Sequence, residues 1–320
     1  MTKLKGNRKQ IIYLDQYCTS NMFDDQNAPV WQEIKGLLFS AYSENKIVCP
    51  IPYEHFLETA PKTFEFGVNT IRNFEKISGG YISRPELIVT TQLIVSYLRR
   101  NNVTMNTFFT KDSKIVFTNP ENYEHTRVFK QGYKENFTEL LEDVNTVRQA
   151  GRTLKSVKDF DQTTYQLIKQ KFETEFVERL KSTFKEGHLI IRADQFGQQQ
   201  VPNWIDAIIY RLVAAHKIST RETQRLIQHI ELRGFIDFPQ LDIRKSLIAL
   251  NAIQHKKEQE SDHFDFTRLS TGLPYSDILF TDKRRKAELV LLGLDKKYNC
   301  KVFNGTEQDL IEFIEILKSF

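Results

Sequence analysis

Short, continuously apolar segments alternate with helical patterns at the start of the chain. The segment "IIYL" at 11–14 has the β-branched and aromatic composition of a buried strand, and "KIVCPIP" at 46–52 predicts a second strand that proline ends. Between them, "APVWQEIKGLLFSAYSEN" places Trp31, Ile34 and Leu38 at helical spacing. The next segment, "PYEHFLETA", predicts the first turns of another helix. The order indicates a strand, helix, strand unit.

The middle of the chain, residues 62–235, is dominated by long, polar-rich helical patterns. Examples are "RPELIVTTQLIVSYLRRNN", "TTYQLIKQKFETEFVERLKSTF" and "TRETQRLIQHIELRG", the last of which ends on a glycine suited to a helix C-cap. We therefore predict a large, all-helical insertion over 62–235.

After this insertion the alternation of helices and strands returns. The segment "PQLDIRKSLIALNAIQHKK" predicts a helix with Asp242 as N-cap, and "SDHFDFTRLSTGL" predicts a second helix. "SDILFTD" and "CKVFN" predict strands, and "TEQDLIEFIEILKSF" predicts a final helix whose Thr306 and Asp309 fit a capping box. Helices alternating with short apolar strands predict an α/β fold with a parallel sheet flanked by helices. This domain is predicted to combine residues 1–61 and 236–320.

The composition allows such a fold and limits the partners. With 320 residues, 40% of them hydrophobic, the chain can bury a sizeable core. A formal net charge of +4 is compatible with a polyanionic partner. The three cysteines are far apart and form no CxxC pair, so we expect a reduced, cytoplasmic setting rather than a disulfide framework. No apolar segment reaches the roughly 18 residues of a membrane-spanning helix, so no membrane partner is expected.

Several carboxylates are predicted to meet at one edge of the sheet. Asp15 and Asp282 each end an apolar strand, and open parallel sheets bind ligands beyond the carboxyl ends of their strands. Glu54 and Glu58, one helical turn apart, follow the second strand. Taken alone, each acid has an ordinary interpretation: Asp15 closes a turn or caps a helix, and one of the two glutamates is solvated.

Asp262 and Asp265 share a face of the helix that precedes the strand "DILF". Four or more carboxylates without basic partners would repel one another, which indicates that a cation neutralises them. Oxygen ligands without cysteine suit Mg²⁺ or Mn²⁺ rather than zinc. Asp262 also fits an N-cap, so its role as a ligand is left open.

Four basic residues, from Lys283 to Lys286, follow Asp282 directly. Cations in the first turn of a helix oppose the helix dipole, and binding of a phosphate backbone would offset that cost. A solvated charged face explains such a run equally well.

The segments "IIYLD", "PIPYEHFLETA", "SDHFDFTRL" and "LPYSDILFTDKR", in this order, resemble the acidic motifs of PIN-like metal-dependent nucleases. The resemblance is closest to larger bacterial PIN-like proteins in which a helical segment separates the second motif from the third. It covers roughly residues 10–60 and 236–320. It implies a PIN-like parallel sheet, a Mg²⁺ or Mn²⁺ site, hydrolysis of RNA phosphodiester bonds and, as in related folds, a homo-oligomer.

The resemblance also implies the ligands. They are Asp15, an acid in the helix after the second strand, Asp265 and Asp282, and Glu58 is favoured over Glu54 because a histidine precedes it by three residues.

Asp262 would be an auxiliary ligand, and Lys283 and Arg284 would bind the substrate backbone. Asp277 resembles an acid common at the start of this strand, where a structural role is an equal alternative. Family members often have histidine where this chain has Arg268, which puts any proton relay there in question.

Two other functions are compatible with parts of the pattern. A catalytically silent PIN-like module would bind RNA or a protein and keep its acids as elements of the fold. A phosphatase of the haloacid dehalogenase type would share the aspartate at the strand end, but "YLDQYC" lacks the second aspartate two residues later.

Overall fold

The described residues of the computed structural model form two compact units. The structure describes residues 9–24, 29–59, 64–111, 161–186, 193–196, 199–202, 204–254 and 260–320. The first unit contains the described residues up to 85, 104–111 and 271–320, and the second contains 86–103 and the described residues from 161 to 270. These units differ from the predicted division at residues 61 and 235.

Fourteen helices and eight strands are described. In chain order they are β1 (Gln10–Tyr13), α1 (Gln16–Phe23), α2 (Pro29–Ser43), β2 (Ile47–Val48), α3 (Tyr53–Thr59), α4 (Phe64–Ser78), β3 (Tyr81–Ser83), α5 (Glu86–Arg99), α6 (Met105–Phe108), β4 (Phe109–Lys111), α7 (Gln162–Glu186), β5 (Ala193–Phe196), β6 (Gln199–Pro202), α8 (Trp204–Ala214), α9 (Thr220–Arg233), α10 (Pro239–Ile253), α11 (Glu260–Gly272), β7 (Ile278–Phe280), α12 (Lys283–Leu291), α13 (Leu294–Tyr298), β8 (Lys301–Phe303) and α14 (Glu307–Lys318).

The first unit is built on a parallel sheet with the strand order β2-β1-β7-β8. In the register of this sheet Tyr13 pairs with Leu279, and Leu279 pairs with Val302. Beyond β2, Ile51 forms a parallel bridge with Ile82 of β3. The predicted α/β class with a parallel sheet flanked by helices is confirmed.

The core of this unit forms because its central strands are apolar on both faces. Ile12 and Phe280, on neighbouring strands, are almost fully buried, and so are Ile34 of α2 and Phe313 of α14. The rings of Phe280 and Phe313 meet edge to face at 4.7 Å, which fixes α14 against the sheet. Burial on both faces is what a short, continuously apolar strand requires.

A close approach between Gly272 and β1 gives a test of this packing. A Cβ atom on Gly272, the last residue of α11, would lie 2.9 Å from the ring of Tyr13, whereas a Cβ on Gly36, inside α2, would meet nothing within 4 Å. We expect Gly272→Ala to lower the free energy of unfolding by about 1–3 kcal/mol through overpacking. Gly36→Ala should raise it by about 0.5–1 kcal/mol. Urea unfolding measures both, and equal effects of the two substitutions would contradict the packing described.

The second unit is mainly helical. Its core includes Phe176 of α7, Leu212 of α8 and Leu226 of α9, all with essentially no exposed surface. The glycine predicted as a C-cap is confirmed, because Gly234 ends α9 with a φ of 59°.

The antiparallel pairs β3-β4 and β5-β6 lie within 62–235, so the prediction of an all-helical segment is wrong. Strands of three or four residues are too short to interrupt a helical periodicity read over longer windows.

The prediction of Asp242 as an N-cap is also wrong. Helix α10 begins at Pro239, and Phe238 occupies the N-cap position. Proline is favoured in the first turn because its φ already has a helical value and its missing N–H would have no helical partner there. Asp242 therefore lies within the helix, and its carboxylate is 3.5 Å from Lys169 Nζ.

A capping box in the second unit makes stability depend on pH. Ser219 caps α9, and Glu222 accepts hydrogen bonds from Arg99 Nε (2.8 Å) and from the Ser219 N–H (2.7 Å). The bond from Arg99, followed by the bond from the Ser219 backbone, lowers the pKa of Glu222 from 4.5 to about 2.

Because the pKa is lowered in the folded state, this stabilisation is present above the unfolded pKa and is lost as the pH falls through the folded one. We expect Glu222→Gln to cost about 1 kcal/mol at neutral pH. Urea unfolding of both proteins at a series of pH values should show the difference shrinking between pH 4.5 and about 2. A difference independent of pH would contradict the assignment.

Two expectations from composition concern cysteines and membranes. Cys18, Cys49 and Cys300 are buried and carry free thiols, and burial raises the pKa of Cys49. Within the part of the chain that the structure describes, no helix is both long and apolar enough to cross a bilayer.

Candidate functional site at the carboxyl edge of the sheet

The order in which the chain adds strands to the sheet changes direction between β1 and β7. The chain passes from β1 to β2 on one side and later enters β7 on the other side of β1. Asp15 follows β1 and Asp282 follows β7, so both aspartates lie at the carboxyl ends of two neighbouring parallel strands. Ligand-binding crevices of open α/β sheets form at this kind of switch point.

Both aspartates also begin a helix. Asp15 Oδ1 accepts a hydrogen bond from the Gln16 N–H (2.6 Å), and Asp282 Oδ1 accepts from the N–H groups of Arg284 (2.8 Å) and Arg285 (3.0 Å). Each is an N-cap with extended backbone, the position that aspartate favours. Their negative charges therefore lie at the positive ends of α1 and α12.

The second oxygen of Asp282 remains available for another role. Asp282 is half-buried, and its Oδ2 makes no hydrogen bond with any residue that the structure describes. Asp15 is more enclosed, with 8% of its surface exposed. Capping therefore fixes these carboxylates without occupying both oxygens of Asp282.

Helix α3 is tied to the same edge. Gln16, next to Asp15, donates from Nε2 to the carbonyl of His55 (3.0 Å). Glu54, in the first turn of α3, and His55 are completely buried, although glutamate is rarely buried in proteins. Glu58 lies in the last turn of α3, but its side chain is outside the described residues, so the choice between Glu54 and Glu58 stays a prediction.

Tyr17, which follows β1, contacts the chain at the end of β7. Its hydroxyl donates to the carbonyl of Thr281, the residue before Asp282, at 3.4 Å. Burial raises the pKa of Tyr17, and the nearby Cys18, Asp15 and Asp309 raise it further. The phenol therefore stays protonated at neutral pH. The sequence offered no signal for this role, since an aromatic residue in a helix usually only packs.

The carboxylate of Asp309 lies at the end of β8. The sequence predicted Asp309 only as part of a capping box. Its Oδ2 accepts from the Asn304 N–H (2.6 Å), and both its oxygens contact Lys286 Nζ (2.7 and 2.8 Å). Thr306 is the N-cap of α14 but makes no side-chain capping bond, so the capping box is replaced by these contacts.

The basic run is largely committed to ion pairs. Arg284 Nε lies 3.0 Å and Arg285 Nη1 lies 2.6 Å from the carboxylate of Glu288, and Arg285 is almost fully buried. With Lys286 bound to Asp309, Lys283 is the exposed member of the run, and it makes no ion pair with a described residue. Of the two predicted substrate-binding residues, Lys283 is the more available and Arg284 is partly exposed.

Asp277, an alternative acid in the prediction, lies at the opposite end of β7 from Asp282. Its Oδ2 accepts from the Ile11 N–H (2.9 Å), and its backbone bonds to Ile11 and Lys301. These contacts join the starts of three strands, which favours the structural alternative.

Asp262 and Asp265 lie in the second unit. Within that unit Asp262 is buried, and Asp265 Oδ1 pairs with Nη2 of the buried Arg268 at 2.6 Å. The residue that departs from the PIN-like pattern thus forms an ion pair with the predicted third ligand.

The donor chemistry of the first unit fits a hard cation. Among the described residues no group of three or more His, Cys, Asp or Glu side chains is placed to hold a metal ion. Asp15 and Asp282 offer a pair of carboxylates, and Mg²⁺ is commonly held by one or two protein carboxylates together with waters and substrate phosphates. Such a pair suits an ion completed by substrate better than an ion enclosed by protein.

Comparisons with known proteins do not identify the chain. No family model matches it, and neither a curated protein nor a solved structure matches it significantly.

Proposed function

We propose that the chain is a PIN-like, metal-dependent nuclease that hydrolyses RNA phosphodiester bonds at the carboxyl edge of its sheet. One observation carries this proposal: the switch point between β1 and β7 has an aspartate at the end of each strand. The order of the acidic motifs supports it, since the resemblance gives Asp15 and Asp282 the roles of ligands.

Each residue of the edge has a task in this proposal. Asp15 and Asp282 would hold Mg²⁺ or Mn²⁺, and a glutamate of α3 would be the next ligand. The chemistry that such an ion supplies when bound is neutralisation of phosphate charge and activation of water. Lys283, exposed at the start of α12, binds the phosphate backbone. Arg284, which is partly exposed although its Nε pairs with Glu288, also contacts this backbone. Asp262 and Asp265 stay predictions of the resemblance.

A silent RNA- or protein-binding module is the second candidate, and specific contacts favour it. Asp15 and Asp282 each have a structural task as helix caps, and Asp265 is paired with Arg268. A chain that had lost catalysis would keep these residues for the fold.

The test is incubation of the purified chain with labelled structured and single-stranded RNAs, with Mn²⁺, with Mg²⁺ and with chelator. The nuclease proposal expects cleavage that needs the metal and that disappears in an Asp15→Asn, Asp282→Asn double variant. Asparagine caps helices about as well as aspartate, so this variant should stay folded. Intact RNA under all conditions, with binding unaffected by chelator, would favour the silent module.

A further inference from the structure

A tyrosine in the second unit is joined to a buried histidine and an aspartate. Tyr97 Oη, on α5, lies 2.8 Å from Nδ1 of His229, on α9. His229 Nε2 lies 3.2 Å from Oδ2 of Asp237, in the turn after α9. This second contact is not directed like a good hydrogen bond, so Asp237 acts on the imidazole mainly through its charge.

An activated nucleophile must be reachable by its substrate, whereas its base is best shielded from water, and Tyr97 and His229 differ in exposure in this way. His229 is 7% exposed, whereas 40% of Tyr97 is exposed to solvent. Phe238 packs edge-on against both rings, at 5.6 Å from Tyr97 and 5.4 Å from His229, and holds them in place. The tyrosine is therefore accessible, and the histidine is shielded and oriented.

The protonation state of the histidine fits the role of a base. Burial lowers the pKa of His229; the charge of Asp237 raises it and that of Arg233 lowers it. The imidazole is neutral at neutral pH. The negative charge of Asp237 favours the proton on Nε2, which leaves Nδ1 to accept from the Tyr97 hydroxyl.

We propose that Tyr97 is a nucleophilic hydroxyl, activated by His229 as its base, that accepts a phosphoryl group from an anhydride of phosphoric acid such as an acyl phosphate. The oxygen of Tyr97 forms a bond to phosphorus as the bond from phosphorus to the leaving oxygen breaks. The leaving group departs with that electron pair, and His229 Nδ1 takes the phenolic proton. Arg233, 59% exposed at its side chain and 3.6 Å from Asp237, supplies a cation for the anionic donor.

The nucleophile is tested with diisopropyl fluorophosphate, an uncharged phosphorus electrophile, and peptide mass spectrometry. Tyr210 is the internal control, because it is 46% exposed in the same unit and makes no hydrogen bond with a described residue. We expect Tyr97 to be labelled at least about tenfold faster than Tyr210, since a positioned base typically contributes a factor of about 10² to 10⁴. Equal rates would overturn the proposal.

Two variants separate activation from packing. In His229→Gln the labelling of Tyr97 should fall to the rate of Tyr210; an unchanged ratio in a folded variant would contradict a role as base. If that variant does not fold, Asp237→Asn serves, because losing a charge that raises the pKa of His229 should shift the acidic limb of the labelling profile to lower pH. An unmoved profile would count against activation.

The donor class is tested with acetyl phosphate. Phosphotyrosine at Tyr97 should form, and Arg233→Gln should slow this reaction several-fold more than it changes labelling by the uncharged fluorophosphate. Absence of phosphotyrosine at Tyr97 would overturn the assignment of an anhydride as donor.

Discussion

Asp282→Asn is expected to reduce the proposed metal-dependent RNA cleavage at least about a hundredfold while the fold remains intact, since even the outer partners of metal ligands typically contribute 10–100-fold. The substitution removes the negative charge at the end of β7. It keeps an oxygen that can accept from the N–H groups of Arg284 and Arg285. This variant therefore tests the negative charge of Asp282 separately from its role as a helix cap.

The measurement is the rate of RNA cleavage with Mn²⁺, together with urea unfolding. Asp282→Ala should lose cleavage too, but it should also lose about 0.5–2 kcal/mol of stability because the cap is removed. Asp277→Asn is the matched control, since it makes the same change at the other end of β7 and should leave cleavage unchanged. Full activity of Asp282→Asn would show that the aspartate is only a cap.

Glu288→Ala is expected to destabilise the protein by up to about 3–5 kcal/mol, because it removes an ion-pair partner of a buried cation. Arg285 is 1% exposed and Glu288 is 4% exposed, and their charged groups are 2.6 Å apart. A buried charge depends on nearby opposite charge to offset its desolvation, so losing a carboxylate 2.6 Å away is costly.

Urea unfolding of Glu288→Ala and of an Arg285→Met, Glu288→Met double variant tests this prediction. The double variant should be much closer to the native protein, since replacing a whole buried ion pair by apolar residues is often nearly neutral. If the two variants were equally unstable, the loss would come from packing rather than from charge.

The apolar pattern predicted the parallel sheet because buried strands must be apolar on both faces, and "IIYL" and "DILF" meet that requirement. The same pattern placed Asp15 and Asp282 at strand ends, where the structure has them. It missed β3 and β4, which are only three residues long and lie between helices.

The contacts of the site were less predictable, since they depend on partners distant in sequence. The pair of Lys286 with Asp309 joins residues 23 positions apart and needs the fold to be known. The pairs of Glu288 with Arg284 and Arg285 could have been predicted from the sequence, because residues three and four apart on a helix are neighbours. That spacing would have assigned two of the four cations to the fold rather than to a substrate.

Binding of Mn²⁺ followed by electron paramagnetic resonance tests the central claim most directly, because free and bound Mn²⁺ are distinguished without any substrate. The account predicts that the native protein and Asp277→Asn bind Mn²⁺ alike, and that the Asp15→Asn, Asp282→Asn variant loses this binding while remaining folded. Equal binding by all three proteins, or no binding by the native protein at millimolar Mn²⁺, would contradict a metal site at the carboxyl edge of the sheet.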